Sequence, residues 1–378
     1  MSNLSRNFLQ GARNCEPILK SLTHSEFRGH LGVLNNTIIS HRNESTDDDV
    51  TGKQKTRNCS EMDTFLRKTG YVFANCSGNL GNQVCILGLG LQMYLQSGVK
   101  LVIKTSQSDK LNTVVDVQNI CREDGSTFCI IWPKDCKMDT ESMKYYDDRK
   151  TFRETLTSKL DFVGKAINMF TCPCPLDKLA DDYHNVFKQQ VQFRDSVWSE
   201  AKLVYDSLKK RAVCTAKDKQ NTECPMVFVH MRMANYYHKK MRARNDFNIY
   251  DKTDYVQVAF RNASITYQTS TIFVLGYTDK DVFNFFEMHS REFDGLDIIF
   301  VSHERSNLIK DPHKYAAIDM VLLSMADVLI MTVGTYGESG ALLGKEKQAV
   351  YLPDYYGYTF SKNITNSRFI RIPFKQWQ

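Results

Sequence analysis

Several features that would place this sequence quickly are missing from it. No stretch approaches the roughly 20 consecutive apolar residues that span a bilayer, and the opening MSNLSRNFLQGARNCEPILK has no apolar run of the signal-peptide kind. There is no internal repeat. No Gly-x-Gly-x-x-Gly follows a strand and there is no Walker lysine, so the nicotinamide fingerprint and the P-loop are both absent. Charge of one sign is scarce: the net is +6, and basic and acidic residues are mixed. Lys209-Lys210-Arg211 reads as a solvated helix end, and the lack of regular basic–aromatic interleaving weighs against nucleic acid. A net of this size still permits attraction to phosphate.

Cysteine is not scarce, but its usual zinc partners are. Cys172-Pro173-Cys174 is too tight for a Cys-x-x-Cys arm, and no matching Cys/His pair follows. The eleven cysteines therefore read either as a few disulfides plus a free thiol or as buried thiols in a reducing compartment. Asn-x-Ser/Thr begins at Asn3, Asn35, Asn43, Asn58, Asn75, Asn262 and Asn363, which leans toward a secretory lumen. The opening segment points the other way. The expectation is a cytosolic chain, or a membrane association only through an anchor preceding this sequence.

What is present organises itself around Met226–Tyr237, MVFVHMRMANYY. Met226, Val227, Phe228 and Val229 form the continuous apolar run of a strand buried on both faces. The polar groups His230, Arg232, Asn235 and Tyr236 follow at once, where open α/β sheets bind ligands; the alternative is a strand entering a basic surface loop.

Upstream, residues 1–65 are polar with weak periodicity and read as a disordered or stem-like tail. Tyr71–Cys76 reads as a strand, Gly78–Gln83 as a Gly/Asn turn, Val84–Leu95 as a helix and Val99–Thr105 as the next strand. Phe128–Trp132 reads as a third strand. A helix is expected over about 151–169 and a long one over 186–213, with a boundary at the polar Lys217–Glu223. Downstream, strands are expected at Met226–Met231, Thr271–Tyr277, Asp297–Ser302, Val328–Val333 and Gln348–Leu352. Helices are expected at Thr253–Tyr267, Asp279–His289, from His313 or Lys314 to Met325, and at Tyr336–Leu343. Such alternation predicts an α/β fold with mostly parallel sheets, in two domains facing a cleft.

Three further places gather polar groups. Asp279, in Asp279-Lys280-Asp281, is either a helix N-cap or part of an Asp-x-Asp metal site. Gly334-Thr335-Tyr336-Gly337-Glu338-Ser339-Gly340 is either a phosphate cradle at a helix start or a tight turn that needs glycine for its backbone. Asp319 sits in an apolar helix, so it is either on the solvent face or bonded to something specific.

Four blocks in order resemble the α-1,2-fucosyltransferase family, with a leaning toward its nematode-type members. GNLGNQ at Gly78–Gln83 is similar to the family's Gly-x-Leu-Gly-Asn-Gln, and VFVHMRMANYY to its Val-His-x-Arg-Arg-x-Asp-Tyr. YTDKDVFNFF at Tyr277–Phe286 is similar to its Ser-Asp-Asp block. The segment Ala316–Gly344, with VYLPDY after it, is the closest match.

The resemblance implies a GT-B-like pair of Rossmann-like domains: a tail or stem over 1–65, an acceptor-side domain over 66–220 and a nucleotide-sugar domain over 221–378. It implies inverting transfer of L-fucose from GDP-fucose to the 2-hydroxyl of a terminal galactose, with no metal or other cofactor required, in the Golgi lumen. Arg232 would stabilise the charge developing on the β-phosphate of the leaving GDP. His230 would orient the loop or the nucleotide. Gly334, Thr335 and Gly337 would offer phosphate donors, and Asp319 and Tyr336 would touch base or ribose. Asn235, Tyr236, Asp279, Gly81, Asn82 and Gln83 complete the substrate-binding set; no residue stands out as the base. Four positions depart from the family pattern. Met233 replaces its second arginine, Asn235 its aspartate, and Glu338-Ser339 an aromatic pair. The alternative is therefore a weakened or inactive relative that binds nucleotide or glycan.

Overall fold

Two wholly parallel sheets of short strands carry the chain. The computed structural model describes residues 59–75, 79–122, 126–137, 144–146, 166–169, 174, 181–215, 223–231, 254–276, 280–332, 334–354 and 368–373. The first sheet is entered by α1 (Cys59–Thr69), which turns Met62 and Leu66 inward, one helical turn apart. They pack on Tyr71, Phe73, Val102, Ile130 and Trp132. A disulfide from Cys59 to Cys136 ties down the start of this helix. The helix thus begins inside the segment read as a polar tail, because two apolar residues at the right spacing suffice once a sheet is there to receive them.

The chain continues through β1 (Tyr71–Ala74), α2 (Leu80–Ser97), β2 (Lys100–Lys104), α3 (Thr105–Leu111), α4 (Val117–Ile120), β3 (Cys129–Trp132), β4 (Lys144–Tyr146) and β5 (Ala166–Met169). The strand order is β3-β2-β1-β5-β4, every pair parallel. Here the expected helix over 151–169 is corrected: Ala166–Met169 is an interior strand lying between β1 and β4, and 151–165 fall outside the described residues.

The long helix expected over 186–213 is two helices, α5 (Asp181–Gln190) and α6 (Asp195–Lys209). The break has a tertiary cause. Residues 192–194 pair their backbone with the segment after α3: the Asp116 N–H donates to Gln192 O at 3.1 Å, and the Arg194 N–H to Val114 O at 3.1 Å. The Arg194 guanidinium also donates to Asn112 O at 2.8 Å. These bonds replace the helical ones the segment gives up.

The second sheet comprises β6 (Val227–Met231), β7 (Thr271–Gly276), β8 (Asp297–Phe300), β9 (Val328–Met331), β10 (Ala349–Asp354) and β11 (Phe369–Pro373), in the order β11-β10-β9-β6-β7-β8. Its helices are α7 (Asp254–Tyr267), α8 (Lys280–Met288), α9 (Val301–Leu308), α10 (Tyr315–Met325) and α11 (Thr335–Leu343). The expected strand Asp297–Ser302 ends at Phe300, and the chain turns directly into α9, an element the sequence pattern does not reveal. The edge strand β11 likewise lies beyond the last expected strand.

One face of the second sheet packs an aromatic cluster of Tyr255, Phe260, Phe285, Phe286 and Phe293. Phe228 stacks on Tyr205 of α6 and lies 5.3 Å from Phe273 between ring centroids. Both sheets belong to one compact unit, Thr56–Gln378, and meet where α2 and α5 pack on α11. Among the described residues, eight cysteines form four disulfides: Cys59–Cys136, Cys85–Cys174, Cys121–Cys129 and Cys214–Cys224. No described helix is long and apolar enough to cross a membrane.

Candidate functional site

The strand order of the second sheet locates the site. From β6 the chain runs outward one way through β7 to β8, then returns to place β9 on the other side of β6. β6 and β9 are therefore the neighbours from which the connections diverge, and the crevice beyond their carboxyl ends is where such sheets accept ligands. His230 pairs in register with Met331 there. The Thr332 hydroxyl donates to His230 O at 2.7 Å, and the Tyr255 hydroxyl to Met331 O at 2.6 Å. The two strand ends are thus fixed before the chain departs.

After β9 the backbone turns sharply at Gly334, with φ 107° and ψ 156°, and enters α11 at once. A side chain is strained at that φ, so the glycine is required by the turn. The turn brings the first N–H groups of α11 to the end of β9, an arrangement suited to an anion. The corresponding place in the first sheet is the end of β1, next to the divergence between β1 and β5. There the chain passes Asn79 and enters α2 through Leu80, Gly81, Asn82 and Gln83.

These two helix starts touch. A Cβ on Gly81 would stand 2.7 Å from both Tyr336 Cα and Tyr336 N, and 2.8 Å from the Thr335 carbonyl carbon. Only a residue without a side chain lets the backbones come so close. The Thr335 hydroxyl donates to Asn82 Oδ1. Ser339 Oγ lies 2.8 Å from Gly81 O and 2.7 Å from Thr335 O. The Cys85 sulfur is 3.4 Å from the same hydroxyl, and its disulfide carries Cys174 to this joint. Gln83 and Glu338 are both buried.

The His230 ring lies 4.9 Å from that of Tyr336, and Gly337 leaves room beside it: a Cβ there would sit 3.6 Å from His230 Nδ1. The Tyr336 hydroxyl donates to Ala316 O in the first turn of α10, three residues before Asp319. Asp319 is bonded to something specific: its Oδ2 accepts from the Arg305 guanidinium of α9, which lies over the Tyr315 ring at 4.3 Å. Burial pushes the Asp319 carboxyl up from 3.8 to about 6, with Arg305 pulling against it. Burial, and after it the charge of Asp319, raise the Tyr336 hydroxyl well above 10.

The fold thus gathers Gly81, Asn82, Gln83, His230, Gly334, Thr335, Tyr336 and Gly337 around one joint, with Asp319 linked to it through Tyr336. Arg232, Asn235, Tyr236 and Asp279 lie outside the described residues. Sequence reasoning missed Arg305. An acid in an apolar helix calls for a cation, but nothing in VSHERSNL marks which one answers. It also counted Ser339 among the departures from the family pattern, and Ser339 is the residue tying α11 to the Gly81 carbonyl. As for metal ligands among the described residues, Cys85, Cys174 and Glu338 cluster within 4.8 Å, but the two sulfurs are bonded to each other. One carboxylate remains, which is no cation site.

No family model and no curated sequence matches the chain. Among solved structures it is similar to the fucosyltransferase NodZ from Bradyrhizobium, at 13% identity over 73% of this chain and 94% of that one, with a TM-score of 0.44. It is also similar to POFUT1 in complex with GDP-fucose, at 10% identity over 75% of this chain and 97% of that one, with a TM-score of 0.40.

Proposed function

We propose that the chain is an inverting fucosyltransferase that moves L-fucose from GDP-fucose to the 2-hydroxyl of a terminal galactose on a glycan. One observation carries the reading. Blocks separated by about 250 residues, Gly78–Gln83 and Gly334–Ser339, were picked out by resemblance, and their described residues are in backbone contact. Two segments that meet at the crevices of two parallel sheets are where a donor and an acceptor could both be reached.

In this reading the nucleotide lies beyond β6 and β9, its diphosphate facing the N–H groups of α11 and the Thr335 hydroxyl. Fucose C1 forms a bond to the acceptor oxygen as its bond to the β-phosphate oxygen breaks, and GDP leaves with the electron pair. Arg232 holds the charge that develops there, which is why no metal is required. The acceptor proton goes to a base that we leave unassigned. The same reading puts the chain in the Golgi lumen, and four disulfides among the described residues support an oxidising compartment. The second reading, a relative that binds nucleotide or glycan without turnover, is favoured by Met233 and Asn235 standing where the family pattern has arginine and aspartate.

The test is incubation of the purified protein with labelled GDP-fucose and a panel of galactose-terminated glycans, with chelator present. Product is expected, and Arg232→Ala should lower kcat on the order of 100-fold or more, as the loss of a leaving-group stabiliser does. GDP binding without product selects the second reading. Absence of both sinks the first and leaves no nucleotide role.

A further inference from the structure

Two of the asparagines that begin Asn-x-Ser/Thr lie among the described residues, Asn75 and Asn262, and the fold treats them differently. Asn75 follows β1 directly and is half-buried, and its Oδ1 accepts from Lys104 Nζ at 2.6 Å. It stands at the carboxyl end of the first sheet, where the crevice opens. Asn262 lies inside α7 and is exposed. That helix buries Tyr255, Val256, Ala259, Phe260 and Ala263 in the core of the second sheet. Its exposed face carries Val258 and Ile265, one turn before and one turn after Asn262, at 44% and 77% exposure. Ile265 is the most exposed large apolar side chain among the described residues. Arg261, the long side chain next to them, reaches instead to Glu292 O at 3.1 Å.

We propose that Asn262 carries an N-linked glycan whose first sugars cover Val258 and Ile265. The proposal rests on the luminal placement above and not on the donor chemistry. The donor is an oligosaccharide linked to a lipid through a diphosphate. Its C1 forms a bond to Asn262 Nδ2 as the bond from C1 to the diphosphate oxygen breaks. The lipid diphosphate leaves with the electron pair, and the amide nitrogen gives up a proton to the transferring enzyme. Transfer precedes the closing of α7. Residues two apart on an α-helix point about 200° from each other, so an enzyme that reads Asn262 and Ser264 together meets them only before the helix forms. In the folded chain the Ser264 hydroxyl already donates to Thr269 O at 2.5 Å. The finished helix holds Asn262 toward solvent, where a bulky group meets no neighbour, and the glycan removes two flanking apolar side chains from water.

The experiment expresses the full chain behind a cleavable secretory leader in animal cells. The purified protein is digested with trypsin, and its glycans are released by an amidase in heavy-oxygen water, which turns each glycosylated asparagine into a labelled aspartate. Label is expected at Asn262. Asn262→Gln should lose the label together with the mass of one glycan, whereas Ser264→Thr, which keeps the acceptor pattern, should keep both. Folded Asn262→Gln should bind more hydrophobic dye than wild type, and adding Val258→Ser and Ile265→Ser should remove the excess. The leader supplies the compartment, so an unlabelled Asn262 overturns the proposal and leaves the fucosyl-transfer reading to its own assay on the same sample. A labelled Asn262 whose removal leaves dye binding unchanged overturns the covering role. Resistance of the endogenous protein to the amidase, with Asn262 labelled behind the leader, sinks the luminal placement and the modification with it.

Discussion

The two sheets reach rigidity by different means. The first has five short strands and a modest apolar cluster, and disulfides fasten its periphery: Cys59–Cys136 clamps α1, Cys121–Cys129 holds the entry to β3, and Cys85–Cys174 ties α2 at the joint. The second has six strands and a dense aromatic core around Phe260, Phe285, Phe286 and Phe293; its Cys214–Cys224 disulfide lies ahead of β6, outside the packed layers. On the first sheet covalent links add to a largely aliphatic core, whereas the second is held mainly by buried aromatic side chains. Redox conditions and core packing should therefore act mainly on different halves of one compact unit.

The largest expected effect tests the packed half. Phe260 is fully buried against Phe286 and Phe293, so Phe260→Ala should cost about 3–5 kcal/mol in denaturant unfolding. A loss under 1 kcal/mol, on this order-of-magnitude scale, would mean that the aromatic cluster is not what holds that sheet.

Next comes the stapled half. Removing Cys59–Cys136 by a Cys59→Ser/Cys136→Ser double variant should cost about 2–4 kcal/mol. Hydrogen exchange should then lose protection in Tyr71–Ala74 and Cys129–Trp132 while Val227–Met231 keeps its own. Equal loss in both sheets would erase the contrast.

The joint between them ranks third. Gly81→Ala puts a methyl group 2.7 Å from the Tyr336 backbone, which has no rotamer to escape through, so about 1–3 kcal/mol of strain is expected. Gly337→Ala makes only ordinary contacts on His230 and Met331 and serves as the matched control by thermal melting.

The smallest effect is a slope. Burial, aided by Arg368, drives His184 down from 6.5 to about 3. Its folded value is lowered, so its contribution is full above 6.5 and is lost as pH falls toward 3. Asp319 is raised from 3.8 to about 6, so its contribution is full below 3.8 and is lost as pH rises through 6. The two oppose between 3.8 and 6. In that window melting temperature should decline with pH in His184→Gln and climb with pH in Asp319→Asn; parallel slopes in both variants would refute the assignment.

Much of this architecture was legible in the residues. Ile272–Leu275 and Val328–Met331 are continuous apolar runs bounded by polar turns, and both are buried strands as read. Elements set by tertiary partners were not legible. AINM at Ala166–Met169 is too short to show a period, and the break at 191–194 exists only because the segment after α3 takes its backbone bonds. α9 has no apolar stripe to announce it. At the site, resemblance singled out Gly81 and Thr335 separately. That they touch follows from the order of strands in two sheets, which no local pattern encodes.

The meeting of Gly81 with Tyr336 has a mechanical consequence. Two backbones in contact, with no side chain between them, form a bearing without a cushion. Sliding one sheet past the other would drive peptide groups into each other, whereas rotation about that point keeps them apart. The Cys85–Cys174 link beside the contact stiffens the first sheet's side of it. The two helix starts that meet there are thereby held at a fixed spacing, with the Thr335–Asn82 and Ser339–Gly81 bonds beside the contact.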